Sequence, residues 1–189
     1  HDFPSIFFEK RVWRTPRNRA DTAQIEAAAL ALKSAKRPLI IAGGGTLYSG
    51  AEGILNDFAA RRGIPVAETT AGKTSVLDSH PHGVGLTGPT GSSAGNAMAQ
   101  DVDVVLLLGT RLQDFTTGSW TCFQDENVTF VNINTAAFDA HKHRSLPVVG
   151  DAKACLSELD AAMGDWMAPA ARMEQAKAAM GEWRAYLDE

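Results

Sequence analysis

The chain has 189 residues, of which 44% are hydrophobic and 21% are charged, so it can bury a full core and suits one globular domain with extra segments at its ends. Its net charge of −4 argues against nucleic acid as the main partner. No apolar run reaches membrane-spanning length and no signal peptide is visible, so we expect no membrane partner. Cys122 and Cys155 are too few for a disulfide framework and fit a reducing, cytoplasmic compartment.

Residues 1–20 alternate bulky and basic side chains, as in the run from Phe7 to Arg14. One interpretation is a basic docking segment. The other, which we favour, is an interdomain linker whose aromatic side chains pack on a neighbouring domain. The sequence also begins at His1 without a methionine, so we expect the chain to be a piece of a longer polypeptide.

The chain is organised around an apolar run that begins at Pro38 and predicts a strand buried on both faces. Gly43, Gly44 and Gly45 end this strand. We expect the glycines to turn the backbone sharply, with positive φ, before a helix over residues 51–62 that Gly63 ends. Strand, glycine turn and helix open many nucleotide-binding α/β domains. The dinucleotide fingerprint is incomplete, because its third glycine falls two positions late.

A second strand is predicted over residues 64–68, followed by a long segment rich in Gly, Pro and Ser. Glu68 stands about 20 residues past the glycines, where a Rossmann acidic residue holds a ribose; the alternative is a solvated strand end. We interpret residues 69–90 as a functional or interface loop. His80 and His82 lie in this loop without a nearby set of metal-binding residues, so we predict no metal site.

A first helix, capped by Asp21 or Thr22, precedes the organising strand. Three further strands and four helices complete the predicted alternation. The strands cover residues 103–108, 128–133 and 147–150. The helices are one that begins at Thr90 or Ser92 and ends at Gln100, a short one that carries Phe138, His141 and His143, one over residues 152–163 capped by Asp151, and one over residues 169–189 that leans on a neighbour. This alternation predicts an α/β domain, a three-layer Rossmann-like fold with about six parallel strands flanked by helices. Gly109 breaks the third strand, and Arg111 follows at the carboxyl edge, placed either to bind an anion or to pair with Asp114 or another domain.

Three pieces of sequence, in order, resemble the middle domain of thiamine-diphosphate enzymes, the family of acetolactate synthase and pyruvate decarboxylase. They are the glycine triplet, Gly109 to Asp114, and Gly150-Asp151-Ala152 before a helix. Further pieces look like one branch of the family, the trihydroxycyclohexane-1,2-dione hydrolases of myo-inositol breakdown: Phe7 to Val12, Pro65 to Thr69, Asp114 to Thr117 and Asn132 to Asn134. The branch resemblance covers nearly the whole chain.

The resemblance implies a three-domain enzyme that hydrolyses a carbon–carbon bond of a cyclic dione. Residues 1–20 would be an interdomain linker, residues 21–163 the middle domain, of the DHS-like NAD/FAD-binding type, and residues 164–189 a helical linker toward a C-terminal domain. Thiamine diphosphate and Mg²⁺ would be bound by the other two domains, since Gly150-Asp151-Ala152 lacks the last glycine of the family's Gly-Asp-Gly motif. The implied partners are those two domains and a second subunit, in a homodimer or homotetramer.

The resemblance also places a candidate nucleotide cleft at the carboxyl edge of the sheet. Its candidate cofactor-binding residues are Gly43, Gly44, Gly45, Gly109, Arg111 and Asn132. The corresponding domain of acetolactate synthase binds FAD, but Phe115 replaces an Arg of that pattern, a bidentate donor, and Asn132 replaces an Asp that accepts from a ribose hydroxyl. We therefore expect no bound FAD and a vestigial cleft.

Two other functions remain open from the sequence alone. One is a self-contained domain that binds FAD, NAD or ADP, as in an acetolactate-synthase-like enzyme. The other is an independent enzyme, such as a sirtuin-like or nicotinamide-dependent one. The sequence contains no Walker motif of the form Gly-x-x-x-x-Gly-Lys-Ser/Thr, and we identify no catalytic residue in it. A non-catalytic domain that scaffolds the dimer is therefore the favoured interpretation.

Overall fold

The computed structural model of the protein describes residues 2–189, which form eight α-helices and six β-strands. The helices are α1 (Thr22–Ser34), α2 (Gly44–Ser49), α3 (Glu52–Arg62), α4 (Ser93–Gln100), α5 (Asp114–Thr117), α6 (Ala137–Ala140), α7 (Ala152–Met163) and α8 (Ala170–Leu187). The strands are β1 (Pro38–Ala42), β2 (Val66–Glu68), β3 (Gly83–Leu86), β4 (Val104–Leu108), β5 (Thr129–Asn134) and β6 (Leu146–Val149). No helix within residues 2–189 is both long and apolar enough to cross a membrane.

The six strands form one parallel sheet in the order β3-β2-β1-β4-β5-β6. In β1, Ile40 lies opposite Val66 of β2 and Leu106 of β4, so the organising strand is central and buried on both faces. The predicted α/β fold with about six parallel strands flanked by helices is confirmed. The connections place the carboxyl ends of all six strands along one edge of the sheet.

The prediction that residues 69–90 form a loop is wrong for β3, which pairs with β2 at the edge of the sheet. Its sequence, Gly-Val-Gly-Leu, lacks the run of β-branched residues that would predict a strand. Only Val84 of this strand is fully buried. Hydrogen bonding to β2, not local propensity, therefore makes this segment a strand.

The helix boundaries follow the predicted local signals. Asp21 accepts a hydrogen bond from the backbone N–H of Ala23 at the start of α1, and Ser92 does the same for Gly95 at the start of α4. Gly63 ends α3 in the left-handed conformation. These boundaries are local choices, so the sequence was sufficient to predict them.

Each face of the sheet has its own hydrophobic core. Alternate β1 residues divide between them: Ile40 joins the core under α1, α3 and α7, whereas Leu39 and Ile41 join the core under α4 and α8. Helix α8 supplies Met173 and Ala176 to the second core. The prediction that this helix leans on a neighbour is therefore wrong for its first half, which packs on the sheet of this domain.

The largest buried side chain of α8 is Arg172, whose exposed fraction is 2%. Its Nε donates to the carbonyl of Pro38 and its Nη2 to the carbonyl of Met98, each over 3.0 Å. Burial lowers the pKa of the guanidinium to about 10, against the raising effect of Asp101 and Asp103, so the group remains charged at neutral pH. The domain boundary predicted at residue 163 stays a prediction. In the structure, however, the first half of α8 packs in the second core.

Arg172→Met is expected to lower the free energy of unfolding by about 1–3 kcal/mol, because two buried carbonyls lose a charged donor. Urea denaturation followed by circular dichroism measures this change. Arg14→Met, at an exposed position, is the matched control and should change stability by less than about 0.5 kcal/mol. Equal stability of the two variants would show that the Arg172 contacts contribute nothing.

Candidate functional site

The candidate cleft is built where the carboxyl ends of β1 and β4 meet. The backbone N–H of Gly43 donates to Leu108 over 2.9 Å, and that of Gly45 donates to Gly109 over 3.0 Å. A Cβ added at Gly43 would overlap the carbonyl of Gly109, and one at Gly45 would lie 2.7 Å from the Gly109 Cα. Glycine is therefore required at positions 43 and 45, because the backbone there is in direct contact with the backbone of Gly109.

The predicted positive φ in the glycine triplet is wrong. Gly43 has φ −109°, while Gly44 and Gly45 lie in the first turn of α2 and are not among the glycines with positive φ. The residue in the left-handed region is Gly109, with φ +63°. The left-handed turn therefore lies at the end of β4, and the glycines of the triplet allow their backbone to approach that of Gly109 closely.

The cleft has a volume of about 290 Å³ and contains most of the predicted residues. Gly44, Gly45, Gly109 and Arg111 line it, and Gly43 lies directly beside them. Asn132 is not among the lining residues: it is only 1% exposed and its Nδ2 donates to the carbonyl of Asp139 over 2.9 Å. The structure thus brings five of the six predicted residues together.

Arg111 is exposed and does not pair with Asp114. Its Nη2 donates to Gln113 Oε1 over 3.3 Å, while the Asp114 carboxylate accepts from the hydroxyl of Ser119. Within residues 2–189 no carboxylate lies within 4.0 Å of the Arg111 guanidinium. The guanidinium is therefore available for an anion in the cleft.

The lining residues that were not predicted include Tyr48 and Asn134. Tyr48 is 90% exposed, and Asn134 donates from Nδ2 to the carbonyl of Thr110 over 3.1 Å. The sequence could have indicated Asn134, because it lies two positions after the predicted residue Asn132. Residues two apart on a strand share a face, and Asn134 lies nearer the carboxyl end. No sequence signal pointed to Tyr48, since an exposed aromatic on a short helix is unremarkable locally.

The residues present suit a small anion better than a flavin dinucleotide. The cleft volume of about 290 Å³ lies just below the usual range for ligand pockets of about 300–1,000 Å³. Gly45, Tyr48 and Gly109 also line an adjoining cleft of about 230 Å³. Phe115, at the position of the missing Arg, offers no donor to a phosphate. The absence of bound FAD remains a prediction.

The Gly150-Asp151-Ala152 segment does not fit a thiamine-diphosphate and Mg²⁺ site. Asp151 caps α7 by accepting from the backbone N–H of Ala154 over 3.1 Å, and its other oxygen accepts from Arg17 over 2.8 Å. Both carboxylate oxygens are therefore occupied in a buried setting. Within residues 2–189 no group of three or more His, Cys, Asp or Glu side chains is placed to hold a metal ion.

Glu68 has neither of the roles proposed for it from sequence. It does not line the glycine cleft, and it is not a solvated strand end, because its exposed fraction is 3%. Its Oε1 accepts from the backbone N–H of Val76 over 3.1 Å, and its Oε2 lies 3.7 Å from Lys73 Nζ. Burial raises the pKa of Glu68 despite these two stabilising contacts. The carboxyl group holds the following segment onto the end of β2.

With this geometry in place, the chain can be assigned to a family. Residues 25–159 match the family described as thiamine pyrophosphate enzyme, central domain, and the chain belongs to that family, which confirms the predicted membership. Its relatives include proteins named 3D-(3,5/4)-trihydroxycyclohexane-1,2-dione hydrolase. One from Clostridium perfringens is 43% identical over 161 residues, covering 85% of this chain and 25% of the relative.

A second relative, 3D-(3,5/4)-trihydroxycyclohexane-1,2-dione hydrolase 1 of Bacillus cereus, is 45% identical over 158 residues, covering 84% of this chain and 24% of the relative. A Bacillus anthracis hydrolase of the same name is 44% identical, with the same two coverages. The chain thus spans about a quarter of the length of the curated relatives it matches.

Gly43→Ala is expected to lower the free energy of unfolding by about 1–3 kcal/mol, because the new methyl group overlaps the Gly109 carbonyl. Gly44→Ala is the matched control: its Cβ would lie 3.3 Å or more from its nearest neighbours, so it should cost less. Thermal and urea unfolding of both variants measure the difference. A Gly44→Ala variant as unstable as Gly43→Ala would contradict the close-approach explanation.

The stability of the chain should contain a pH-dependent contribution from Glu68. Because its folded-state pKa is raised above the ordinary 4.5, the native state binds the proton more tightly than the unfolded chain. This contribution therefore falls as pH rises from 4.5 through the raised pKa and is constant above it.

Unfolding free energies measured across this pH range for wild type and Glu68→Gln are expected to shift in favour of the variant as pH rises. Glu26→Gln, on the exposed face of α1, is the control for the loss of one surface carboxylate. A shift in favour of wild type over the same range would refute the assignment.

Proposed function

We propose that this chain is the non-catalytic middle domain of a thiamine-diphosphate-dependent hydrolase that cleaves a carbon–carbon bond of a trihydroxycyclohexane-1,2-dione in myo-inositol catabolism. The observation that carries the proposal is the 43–45% identity to relatives of that name over 84–85% of the chain. This similarity extends beyond residues 25–159, the part common to the whole family. A cytoplasmic location follows from the same proposal.

A scaffolding role is supported by what the domain's own side chains do. Asp151 is used as a helix cap and ion-pair partner, and the cation of the cleft, Arg111, donates to Gln113, while the one carboxylate among the lining residues, Asp139, pairs with Lys142. Thiamine diphosphate and Mg²⁺ are then held by other parts of the full-length enzyme. Phe7, Phe8 and Trp13 are each more than two-thirds exposed, which supports packing of residues 1–20 against a neighbouring domain or against the second subunit of a homodimer or homotetramer.

The second candidate function is a nucleotide-binding domain of an acetolactate-synthase-like enzyme. The observation that favours it is the combination of the available Arg111 guanidinium with the exposed Tyr48 ring in one cleft. Arginine suits a phosphate group, and an aromatic ring suits stacking on a base. FAD, ADP and NAD are the ligands to be tested.

The full-length protein is expected to open the trihydroxycyclohexanedione ring only when thiamine diphosphate and Mg²⁺ are supplied, whereas the 189-residue chain should neither turn over the dione nor bind the cofactor. An assay for the ring-opened acid and a calorimetric titration of the chain measure these two results. Micromolar binding of thiamine diphosphate to the chain alone would defeat the scaffold proposal.

Arg111→Ala in the full-length enzyme distinguishes the two functions. For a scaffold, saturating turnover per intact oligomer should be unchanged, because the guanidinium touches no reacting group. For a nucleotide site, activity should come to depend on added ADP, since the variant binds the phosphate more weakly. Kinetics with and without ADP, together with sedimentation, decide between these outcomes, with Arg14→Ala as the control for loss of an exposed arginine.

A further inference from the structure

A groove separate from the glycine cleft lies between the second half of α8 and the segment that follows Glu68. It consists of two adjoining cavities of about 330 Å³ and 290 Å³, both lined by Gly83, Met180 and Arg184. Neither shares a lining residue with the glycine cleft. We call this feature the α8 groove.

The larger cavity combines a buried carboxyl group with an aromatic wall. Glu68, Lys73 and Asp78 line it, and the Lys73 ammonium lies 3.7 Å from the Glu68 carboxylate and donates to the Asp78 carboxylate over 2.6 Å. Trp183 and Met180 come from α8, and Thr90 adds a hydroxyl. One Glu68 oxygen already accepts from the Val76 backbone, and the carboxyl group retains capacity for another hydrogen bond. Hydrogen-bond donors and acceptors beside the indole ring of Trp183 suit a small ligand that carries several hydroxyl groups.

The smaller cavity is lined by positive and hydroxyl groups. Lys177 and Arg184 lie seven positions apart on α8, close to two helical turns, so they share a face. Ser79 and His80 stand opposite them. In the part of the chain that the structure describes, neither Lys177 nor Arg184 has a carboxylate within 4.0 Å.

The cations of this cavity keep most of their binding capacity. Arg184 donates one hydrogen bond, from Nη2 to the carbonyl of Asp78 over 3.0 Å, and the rest of its guanidinium donors are available. Desolvation, followed by the charges of His80 and Lys177, lowers the pKa of His82, which is consistent with a positive local potential. In a chain of net charge −4, two such cations facing one cavity are suited to an anionic ligand.

We propose that the α8 groove binds a small hydroxylated anion, a sugar acid or a sugar phosphate. Its anionic group lies between Lys177 and Arg184, and its hydroxyl groups contact Glu68 and Lys73 beside Trp183. A ligand in this position bridges α8 and the edge of the sheet. The site goes beyond the proposed scaffold function and can be tested on the 189-residue chain, so it stands or falls independently of the hydrolase activity.

Isothermal titration of the chain with three probes tests the proposal. D-Glucuronate and glucose 6-phosphate carry the two anionic groups, and myo-inositol is a neutral ring of similar size. We expect at least one anion to bind with a dissociation constant between about 1 µM and 1 mM, the usual range for metabolites, and myo-inositol to bind at least about tenfold more weakly. The stronger anion identifies carboxylate or phosphate as the preferred group.

Variants then locate the binding. Lys177→Ala and Arg184→Ala are each expected to weaken the bound anion about tenfold, because each removes a charge-assisted hydrogen bond, and Trp183→Leu should weaken it as well. Lys153→Ala, an exposed position on α7 at the opposite face of the sheet, should leave affinity unchanged. Circular dichroism confirms that the variants fold.

Three results would overturn the proposal. The first is that neither anion binds, the second is that myo-inositol binds as tightly as the anions, and the third is that Lys177→Ala and Arg184→Ala bind like wild type. None of them bears on ring opening by the full-length protein, which has its own assay. Failure of the groove and failure of the hydrolase proposal are therefore distinguishable.

Discussion

The backbone contact between the Gly43–Gly45 triplet and Gly109 is the constraint on which the carboxyl edge of the sheet depends. It joins the end of β1, the start of α2 and the end of β4 through hydrogen bonds of 2.9–3.0 Å, and the hydroxyl of Thr46 adds a bond to Leu108. The absence of Cβ atoms lets α2 begin directly against β4. The glycine cleft, with Arg111 and Tyr48, opens beside this contact.

The hydrophobic core on the second face of the sheet depends on α8, which lies near the end of the chain. Without α8, the sheet face formed by Leu39 and Ile41 would lack the part of its cover that Met173 and Ala176 provide. Arg172 orients this helix by binding carbonyls of β1 and α4. The first half of α8 is therefore fixed by burial, while the second half forms one wall of the α8 groove.

Position and partners, rather than residue type, decide what the acidic groups of this domain can do. Asp151 stands in a segment that resembles a metal-binding motif, but it caps a helix and pairs with Arg17. Glu68 stands where an acidic residue could hold a ribose, but it is buried and bound to the Val76 backbone. The contacts that both make within this domain are structural.

The sequence by itself determined what depends on local pattern: the buried strands around Ile40 and Leu106, the caps at Asp21 and Asp151, the α/β class and the family. It also located most of the cleft, because glycines and an arginine after buried strands lie at one edge of a parallel sheet. Only tertiary structure made β3 a strand, buried Glu68 and folded α8 onto its own sheet. Those outcomes depend on contacts between residues far apart in the chain, which local propensity does not encode.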